Sequence, residues 1–313
     1  MSAQIDPVLA DFLSTQPAPV FDDNLDLPAE RKREREAGLA APRLAEPETV
    51  TDRSVPGPTG APDIPVRVYR PATAEATPLT LYLHGGGFVV GSVDTHDNIT
   101  RLLAEQAGTT VVSVDYRLAP EHRYPAAVED ALAAYRWVVD NAATLGGDPH
   151  RVAVAGDSAG GLLAAALGHL AVERGLPVPF FQLLLYPSTG AGASSADQPA
   201  DGDYGMSQVE RDWYQRAFFG DASPADLPAH TRPARVRDLS GQPPAFILTA
   251  ELDPIRGEGE YYAQRLRDCG VAAEWQDSPG MVHSFLRYMH AVPAARQAAQ
   301  PAFDALRRAF RAE

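Results

Sequence analysis

The sequence contains a single cysteine, Cys269, among 313 residues. One thiol cannot close an intrachain disulfide, and no second thiol or group of cysteine and histidine residues shows the spacing of a zinc site. A disulfide-stapled scaffold is therefore excluded, and no metal site is predicted.

Charge of one sign is never concentrated in this chain. Lysine and arginine total 27 and aspartate and glutamate total 41, which gives a formal net charge of −14. No block of five or six like charges occurs. A surface that binds phosphates independently of sequence needs clustered basic residues. The composition therefore argues against nucleic acid as a partner.

Long hydrophobic runs are also missing. No stretch approaches the roughly 18 apolar residues of a membrane span. The N-terminal MSAQIDPVLADFLSTQPAPV lacks the basic start and apolar run of a secretory signal. We therefore predict a cytoplasmic protein without an integral membrane segment.

The composition is that of a globular protein, with 45% hydrophobic and 22% charged residues. The length is about twice the ~150 residues expected for one domain, but single α/β domains of 200 to 250 residues are common. We therefore expect one large core with appended segments rather than two equal domains.

Short apolar runs alternate with amphipathic stretches from about residue 63 onward. The runs of strand length are IPVRVYRP, PLTLYLH, TTVVSVDYR, RVAVAG, FFQLLLYP, PAFILTAE and AAEWQDS. Helical periodicity falls between them, at 98–107, 125–141, 158–174 and 257–268. This alternation predicts an α/β fold with a mostly parallel sheet covered by helices on both faces.

Two segments break the alternation, at residues 1–45 and 188–228. The first holds the amphipathic IDPVLADFL and the mixed-charge PAERKREREAGLAA. The second starts with small and polar residues and continues into the helical QVERDWYQRAFFG. It is much longer than the usual connection of about 2 to 6 residues. We interpret the two segments as a cap on a main domain formed by 46–187 and 229–313.

Ser158 lies in the motif GDSAGG at residues 156–161, between the strand-like RVAVA and the helical LLAAALGHL. This context matches the G-x-S-x-G nucleophile elbow, in which a sharp turn between strand and helix exposes the serine hydroxyl. The flanking glycines leave room for the chain to fold back. Taken alone, the motif also fits a glycine-rich helix cap.

A second motif, HGGGF at residues 84–88, directly follows the strand-like PLTLYL. Glycines there let backbone N–H groups approach a ligand oxygen, and hydrolases with the elbow build half of their oxyanion hole in this loop. We expect the N–H groups of Gly85, Gly86 and Ala159 to converge on one oxygen. A glycine-rich turn without function is the alternative, and His84 is expected to orient the loop.

A serine nucleophile needs a base, and the base needs an acid that fixes its tautomer. With this elbow the chain order is serine, acid, histidine, each after a later strand. Asp253 follows AFILTAE and His283 follows AAEWQDS, so these residues are the predicted acid and base. The competing candidates are Glu251, Glu258 and Glu260 for the acid, and His290 in the helical LRYMHAV for the base.

Five motifs occur in the order found in the bacterial hormone-sensitive-lipase-like carboxylesterases: HGGGF, DYRLAPEHRYPAA, GDSAGG, DPIRGEG and GMVHSF. The sequence resembles this family over about residues 63–313. The resemblance implies an α/β-hydrolase fold with a helical cap, built from the N-terminus and an insertion after the sixth strand. The two irregular segments occupy those places.

The resemblance also implies a chemistry. It implies hydrolysis of short to medium acyl-chain esters through an acyl-enzyme intermediate, without a cofactor. Carried over by position, the roles fall on Ser158 as nucleophile, Asp253 as acid, His283 as base, and Gly85, Gly86 and Ala159 as oxyanion donors. The chain departs from the family at Gly257, where aspartate is common, and at Ser284, where glycine commonly follows the histidine.

Aromatic and apolar residues of the predicted cap and of the oxyanion loop are candidates for the substrate pocket: Phe88, Val89, Trp213, Tyr214, Phe218 and Phe219. A stripe at helical spacing fits core packing equally well. An amidase or lactonase on the same triad is an alternative function, as is a ligand receptor, which would be expected to lack the histidine. The strand AAEWQDS could form a sheet edge through which a homodimer assembles.

Overall fold

The computed structural model describes residues 4–16, 21–22, 24–72, 77–190, 206–223 and 226–312. Within these ranges the strands are β1 (Thr49–Val55), β2 (Ile64–Arg70), β3 (Thr77–Leu83), β4 (Thr110–Val114), β5 (Gly147–Asp157), β6 (Gln182–Leu185), β7 (Ala245–Ala250) and β8 (Ala273–Ser278). The α-helices are α1 (Pro7–Ser14), α2 (Leu27–Ala40), α3 (Asp97–Ala107), α4 (Ala126–Asp140), α5 (Ala159–Arg174), α6 (Gln208–Phe219), α7 (Arg256–Asp268) and α8 (Pro293–Arg311). Short 3₁₀ helices lie at Ala142–Leu145, Ala229–Thr231, Pro233–Arg235 and Phe285–Tyr288.

The strands form one sheet in the order β1-β2-β4-β3-β5-β6-β7-β8. The pairs β1–β2 and β2–β4 are antiparallel, and every other neighbouring pair is parallel. The predicted mostly parallel sheet is confirmed, and each of the predicted strands is present. β1 lies outside the predicted alternation because most of its side chains are exposed, and its pairing with β2 makes it a strand.

Apolar side chains cover both faces of the sheet. Successive strand residues point to opposite faces, so Leu81 of β3 packs in one core and its neighbour Tyr82 in the other. The first core includes residues of α4, α5 and α7, and the second includes residues of α3 and α8. This is the doubly covered arrangement that the alternation of strands and helices predicts.

The predicted cap segments divide between the two cores. Leu9 of α1 packs in the core of α3 and α8, on the face away from α6. Leu27 of α2 and Trp213 of α6 pack in the other core with Phe21, whose ring lies 5.5 Å from Trp213. Phe21 of the N-terminal segment therefore contacts α6. Most of the polar start of the second segment, residues 191–205, lies outside the described residues.

The prediction of a helix around His290 is wrong. A 3₁₀ helix ends at Tyr288, and the chain turns through His290 before α8 begins at Pro293. The turn is held by the Val292 N–H, which donates to the Tyr288 carbonyl at 2.8 Å. The His290 ring packs edge-on against Phe12 at 5.9 Å. Among the described helices, none is both long and apolar enough to cross a membrane.

The turn from β5 into α5 is closely packed. Ser158 has φ 53° and ψ −117°, a positive φ that is uncommon for a residue other than glycine. A β-carbon placed on Gly160 would lie only 1.9 Å from the Leu83 carbonyl oxygen, and one on Gly156 only 2.3 Å from the Gly160 oxygen. The glycines therefore let the start of α5 lie directly against the end of β3.

The substitution Gly160→Ala should lower the free energy of unfolding by about 1 to 3 kcal/mol, because the added methyl group meets backbone that cannot rotate away. Denaturant unfolding measures this difference. Gly241→Ala is the matched control, since its β-carbon would meet only the side chain of Val172, at 3.4 Å or more. Its stability should stay within about 0.5 kcal/mol of wild type. Equal stability of the two variants would contradict the packing of the elbow on β3.

Candidate active site

Ser158 stands at the end of β5, where its side chain is 9% exposed. Its Oγ lies 2.8 Å from Nε2 of His283. The residue immediately precedes α5, so its hydroxyl is beside the first, unpaired N–H groups of a helix. The predicted strand, turn and helix therefore present this hydroxyl beside an imidazole.

His283 reaches Ser158 from the loop that follows β8. Its Nδ1 lies 2.6 Å from Oδ2 of Asp253, which follows β7 and is fully buried. The other oxygen of Asp253 accepts the Ile255 N–H at 2.8 Å, which fixes the carboxylate. Three side chains predicted from chain order thus form one hydrogen-bonded chain, because adjacent parallel strands deliver their following loops to one edge of the sheet.

The competing acids are engaged elsewhere. Glu251 accepts the Gly280 N–H at 2.8 Å, and Glu258 accepts the Thr189 N–H at 2.6 Å. Glu260 is exposed on α7. Glu251 and Glu258 therefore support the backbone of neighbouring loops, and Asp253 holds the imidazole.

The pKa of His283 reflects opposing influences. Burial has the largest effect and lowers it. The charge and hydrogen bond of Asp253, together with the charge of Asp157, act in the opposite direction. The net result is a pKa above the ordinary value of 6.5. The imidazolium form of His283 is therefore favoured by its surroundings.

Gly85 does not present a free donor, contrary to the prediction. Its N–H donates to Oδ1 of Asp157 at 2.8 Å, and that carboxylate satisfies it. The N–H groups of Gly86, Gly87 and Ala159 have no acceptor among the described residues. Gly86 and Gly87 have positive φ values of 115° and 59°, a conformation that glycine adopts readily. The free donors are therefore one residue further along the loop than predicted.

Asp157 is a site residue that the sequence reasoning missed. Besides Gly85, its carboxylate accepts the Tyr82 hydroxyl at 2.6 Å and lies 3.3 Å from Nε2 of His96. Burial alone would raise the pKa of Asp157, but His96, Tyr82 and His84 lower it to about 2. Its place inside G-x-S-x-G, as a charged residue after an apolar strand, was the available signal.

His84 orients the oxyanion loop from within the core. Its ring stacks on Tyr116 with centroids 4.2 Å apart, and its backbone oxygen accepts the Tyr116 hydroxyl at 2.7 Å. Its Nδ1 lies 2.8 Å from the Gly85 oxygen. Burial lowers the pKa of His84 to about 3, so the ring is neutral at ordinary pH. The DYRLAPE segment supports the same loop, since the Ala119 N–H donates to the Phe88 oxygen at 2.8 Å.

The six predicted pocket residues fall into three groups. Tyr214 covers the oxyanion loop, because a β-carbon on Gly87 would lie 2.2 Å from its ring. Val89 and Phe218 are core residues with exposures of 0% and 1%, so neither presents surface to a ligand in this conformation. The remaining contacts are ring packings: Phe88 on Phe218, Trp213 on Phe21 and Phe219 on Tyr124.

The sheet order, the elbow and the serine, histidine and aspartate geometry define an α/β hydrolase. A sequence profile of the family described as having the alpha/beta hydrolase fold matches residues 80–287. Carboxylesterase NlhH of Mycobacterium tuberculosis is 43% identical over 98% of this chain and 97% of its own length. A Pseudomonas putida protein named ethyl acetate hydrolase is 40% identical over 83% of this chain and 82% of its own length.

Comparison with a solved structure supports the same fold. An esterase from Pyrobaculum calidifontis superposes with a TM-score of 0.85 at 38% identity, covering 97% of this chain and 98% of its own. The chain belongs to the hormone-sensitive-lipase-like carboxylesterases of the α/β-hydrolase superfamily. It is a carboxylic ester hydrolase.

His283 should titrate above pH 6.5 in the wild type. The substitution Asp253→Asn removes the neighbouring negative charge, so the pKa of His283 should fall. NMR titration of labelled histidines measures both values. His290 is an internal control, because burial lowers its pKa and Asp253 is absent from the groups that shift it. A pKa of His283 below 6.5, or one that does not change in the Asp253→Asn variant, would contradict the pairing of His283 with Asp253.

Proposed function

We propose that this protein hydrolyses carboxylic esters by nucleophilic catalysis at Ser158, with His283 as general base and acid. The observation that carries the proposal is the buried chain from Ser158 Oγ to His283 Nε2 at 2.8 Å and from His283 Nδ1 to Asp253 Oδ2 at 2.6 Å. Nucleophile and base within hydrogen-bond reach, with the base held by a third group, is the arrangement that activates a serine.

In the first half of the reaction, Ser158 Oγ bonds to the ester carbonyl carbon and its proton passes to Nε2 of His283. The tetrahedral intermediate then collapses, and His283 returns the proton to the departing alcohol. In the second half, water loses a proton to the same nitrogen and attacks the acyl-enzyme. Collapse of the second intermediate breaks the bond between the acyl carbon and Ser158 Oγ, His283 returns its proton to that oxygen, and the acid is released. Asp253 stabilises the imidazolium in both halves.

The developing negative charge on the carbonyl oxygen needs donors that are fixed in advance. We assign this part to the N–H groups of Gly86, Gly87 and Ala159, because none of them has another acceptor among the described residues. Removal of one such donor typically costs about 10² to 10³ in kcat. The N-terminus of α5 adds a partial positive charge at the same place.

Several features support a preference for short to medium acyl chains. Tyr214 lies directly over Gly87, and Phe88 stacks on Phe218 at 3.9 Å, so aromatic rings crowd the space above the oxyanion loop. The Pseudomonas putida relative is named for hydrolysis of a small ester. We also propose that the described parts of residues 21–45 and 188–228 form the cap of this pocket, while α1 belongs to the main domain.

A homodimer remains a proposal. β8 is an edge strand of the sheet, and an edge strand can pair with a second copy through its outer backbone groups. Size-exclusion chromatography with light scattering of the pure protein tests the assembly. A strictly monomeric protein at micromolar concentration would contradict the proposed homodimer.

Hydrolysis of p-nitrophenyl esters from acetate to dodecanoate tests the proposed chemistry. Wild type should turn over the short esters fastest, with activity rising as pH passes the raised pKa of His283, because only the neutral imidazole accepts a proton. Ser158→Ala should lower kcat by about 10⁴ to 10⁶.

Ser54→Ala, at an exposed position of β1, is the matched serine control and should keep full activity. Residual activity of Ser158→Ala within tenfold of wild type would contradict the nucleophile. A preference for dodecanoate over acetate would contradict the acyl-chain assignment.

A further inference from the structure

Helix α2 turns a charged face toward the protein. Leu27, Glu30 and Glu34 are its buried residues, spaced three and four apart on one side of the helix. Lys32 and Glu36 lie on the outer side, with side chains 75% and 66% exposed. Buried carboxylates require partners, so the contacts of the inner face show what α2 is built to hold.

Arg31 connects α2 to the oxyanion loop. Its Nε donates to the Val89 carbonyl at 2.7 Å, and its Nη2 donates to the Ala119 carbonyl at 2.7 Å. The same guanidinium binds both oxygens of the Glu121 carboxylate at 2.8 Å. Val89 directly follows the loop that carries Gly86 and Gly87. Arg31 therefore fixes α2 against the oxyanion side of the site.

Arg35 and Gly38 attach the next turn of α2 to the same side. Arg35 Nε donates to the buried Asp94 carboxylate at 2.5 Å. A β-carbon on Gly38 would lie 2.6 Å from the Asp94 carbonyl oxygen, so the helix backbone rests on that loop. The side of α2 that carries Arg31 and Arg35 is thus attached to the rest of the protein at two successive helical turns.

Glu34 reaches in the other direction, to the loop that carries His283. Its Oε1 accepts from Nη1 of Arg287 at 3.1 Å, and its side chain is only 9% exposed. Its second oxygen has no partner among the described residues. The ion pair to Arg287 is therefore the anchor of this buried carboxylate.

The loop from His283 to Arg287 needs such an anchor. Ser284 has φ 62°, a left-handed conformation that is strained for a residue other than glycine. The Arg287 N–H donates back to the Ser284 carbonyl at 3.0 Å, so Arg287 closes the turn that follows the imidazole. Holding the Arg287 side chain therefore holds the turn that sets the direction of His283.

We propose that Glu34 is a positioning residue for the proposed reaction: through Arg287 it fixes the loop carrying His283 relative to the oxyanion loop, which α2 grips through Arg31. In this role Glu34 does not contact substrate. The proposal rests on the proposed function of His283 as base, since a base must stay within hydrogen-bond reach of the reacting groups. Displacement of such a group by about 1 Å can cost roughly 10²-fold in rate.

The test compares Glu34→Gln with Glu36→Gln, the same substitution two residues away on the exposed side of α2. With p-nitrophenyl acetate, Glu34→Gln should lower kcat by about 10-fold to 100-fold. KM should change by less than about twofold, because the loss falls on the transition state and not on ground-state binding. Glu36→Gln should match wild type. Active sites are counted by titration with a phosphonate ester, so that misfolded protein does not lower the measured kcat.

A double-mutant cycle with Arg287→Gln gives a second readout. Both single variants should show a similar loss, and the double variant should lose little more than either, because the two residues act as one unit. Arg287→Lys keeps a cation and should fall between wild type and Arg287→Gln.

Two groups of results would overturn the proposal. The first is a kcat per titrated site of Glu34→Gln within twofold of wild type, or a change in KM alone. The second is additive losses in the cycle. Failure of the proposed function is distinguishable, because Ser158→Ala would then retain activity whatever Glu34→Gln does.

Discussion

Asp157 places a fully buried carboxylate beside the nucleophile elbow, and separate parts of the site are tied to it. It accepts the Gly85 N–H of the oxyanion loop and the Tyr82 hydroxyl of β3, and it lies beside His96 at the start of α3. A buried charge is stable only when it is paired and hydrogen-bonded. These partners are therefore held in place by the carboxylate that they stabilise, and the start of the oxyanion loop is fixed through the Gly85 N–H.

Pairing of a buried charge also determines how His283 accommodates a proton. Asp253 is fully buried and holds the imidazole, so the positive charge that His283 gains when it accepts a proton is already compensated. His84 lies in an equally buried place without a carboxylate on its ring nitrogens, and its pKa falls instead to about 3. The pKa values of these two histidines are thus shifted in opposite directions because their hydrogen-bond partners differ.

Features with a local pattern could be predicted from the sequence, and features that depend on distant pairing could not. The mostly parallel sheet follows from alternating runs, and Asp253 and His283 follow from their places after successive strands. The donor at Gly85 was misassigned because no sequence pattern shows which acceptor a loop N–H will meet. β1 carries no apolar alternation, and Glu34 and Arg287 are 253 residues apart. Contacts of that kind exist only after the chain has folded.

The central claim is that Ser158 becomes covalently acylated with the help of His283. Reaction with a p-nitrophenyl phosphonate, followed by mass spectrometry of the intact protein and its peptides, tests this most directly, because the serine adduct does not hydrolyse readily. The account predicts one adduct per chain, located on Ser158, and labelling of His283→Ala slowed by several orders of magnitude. An adduct on another residue, no adduct on folded protein, or labelling that does not depend on His283 would contradict it.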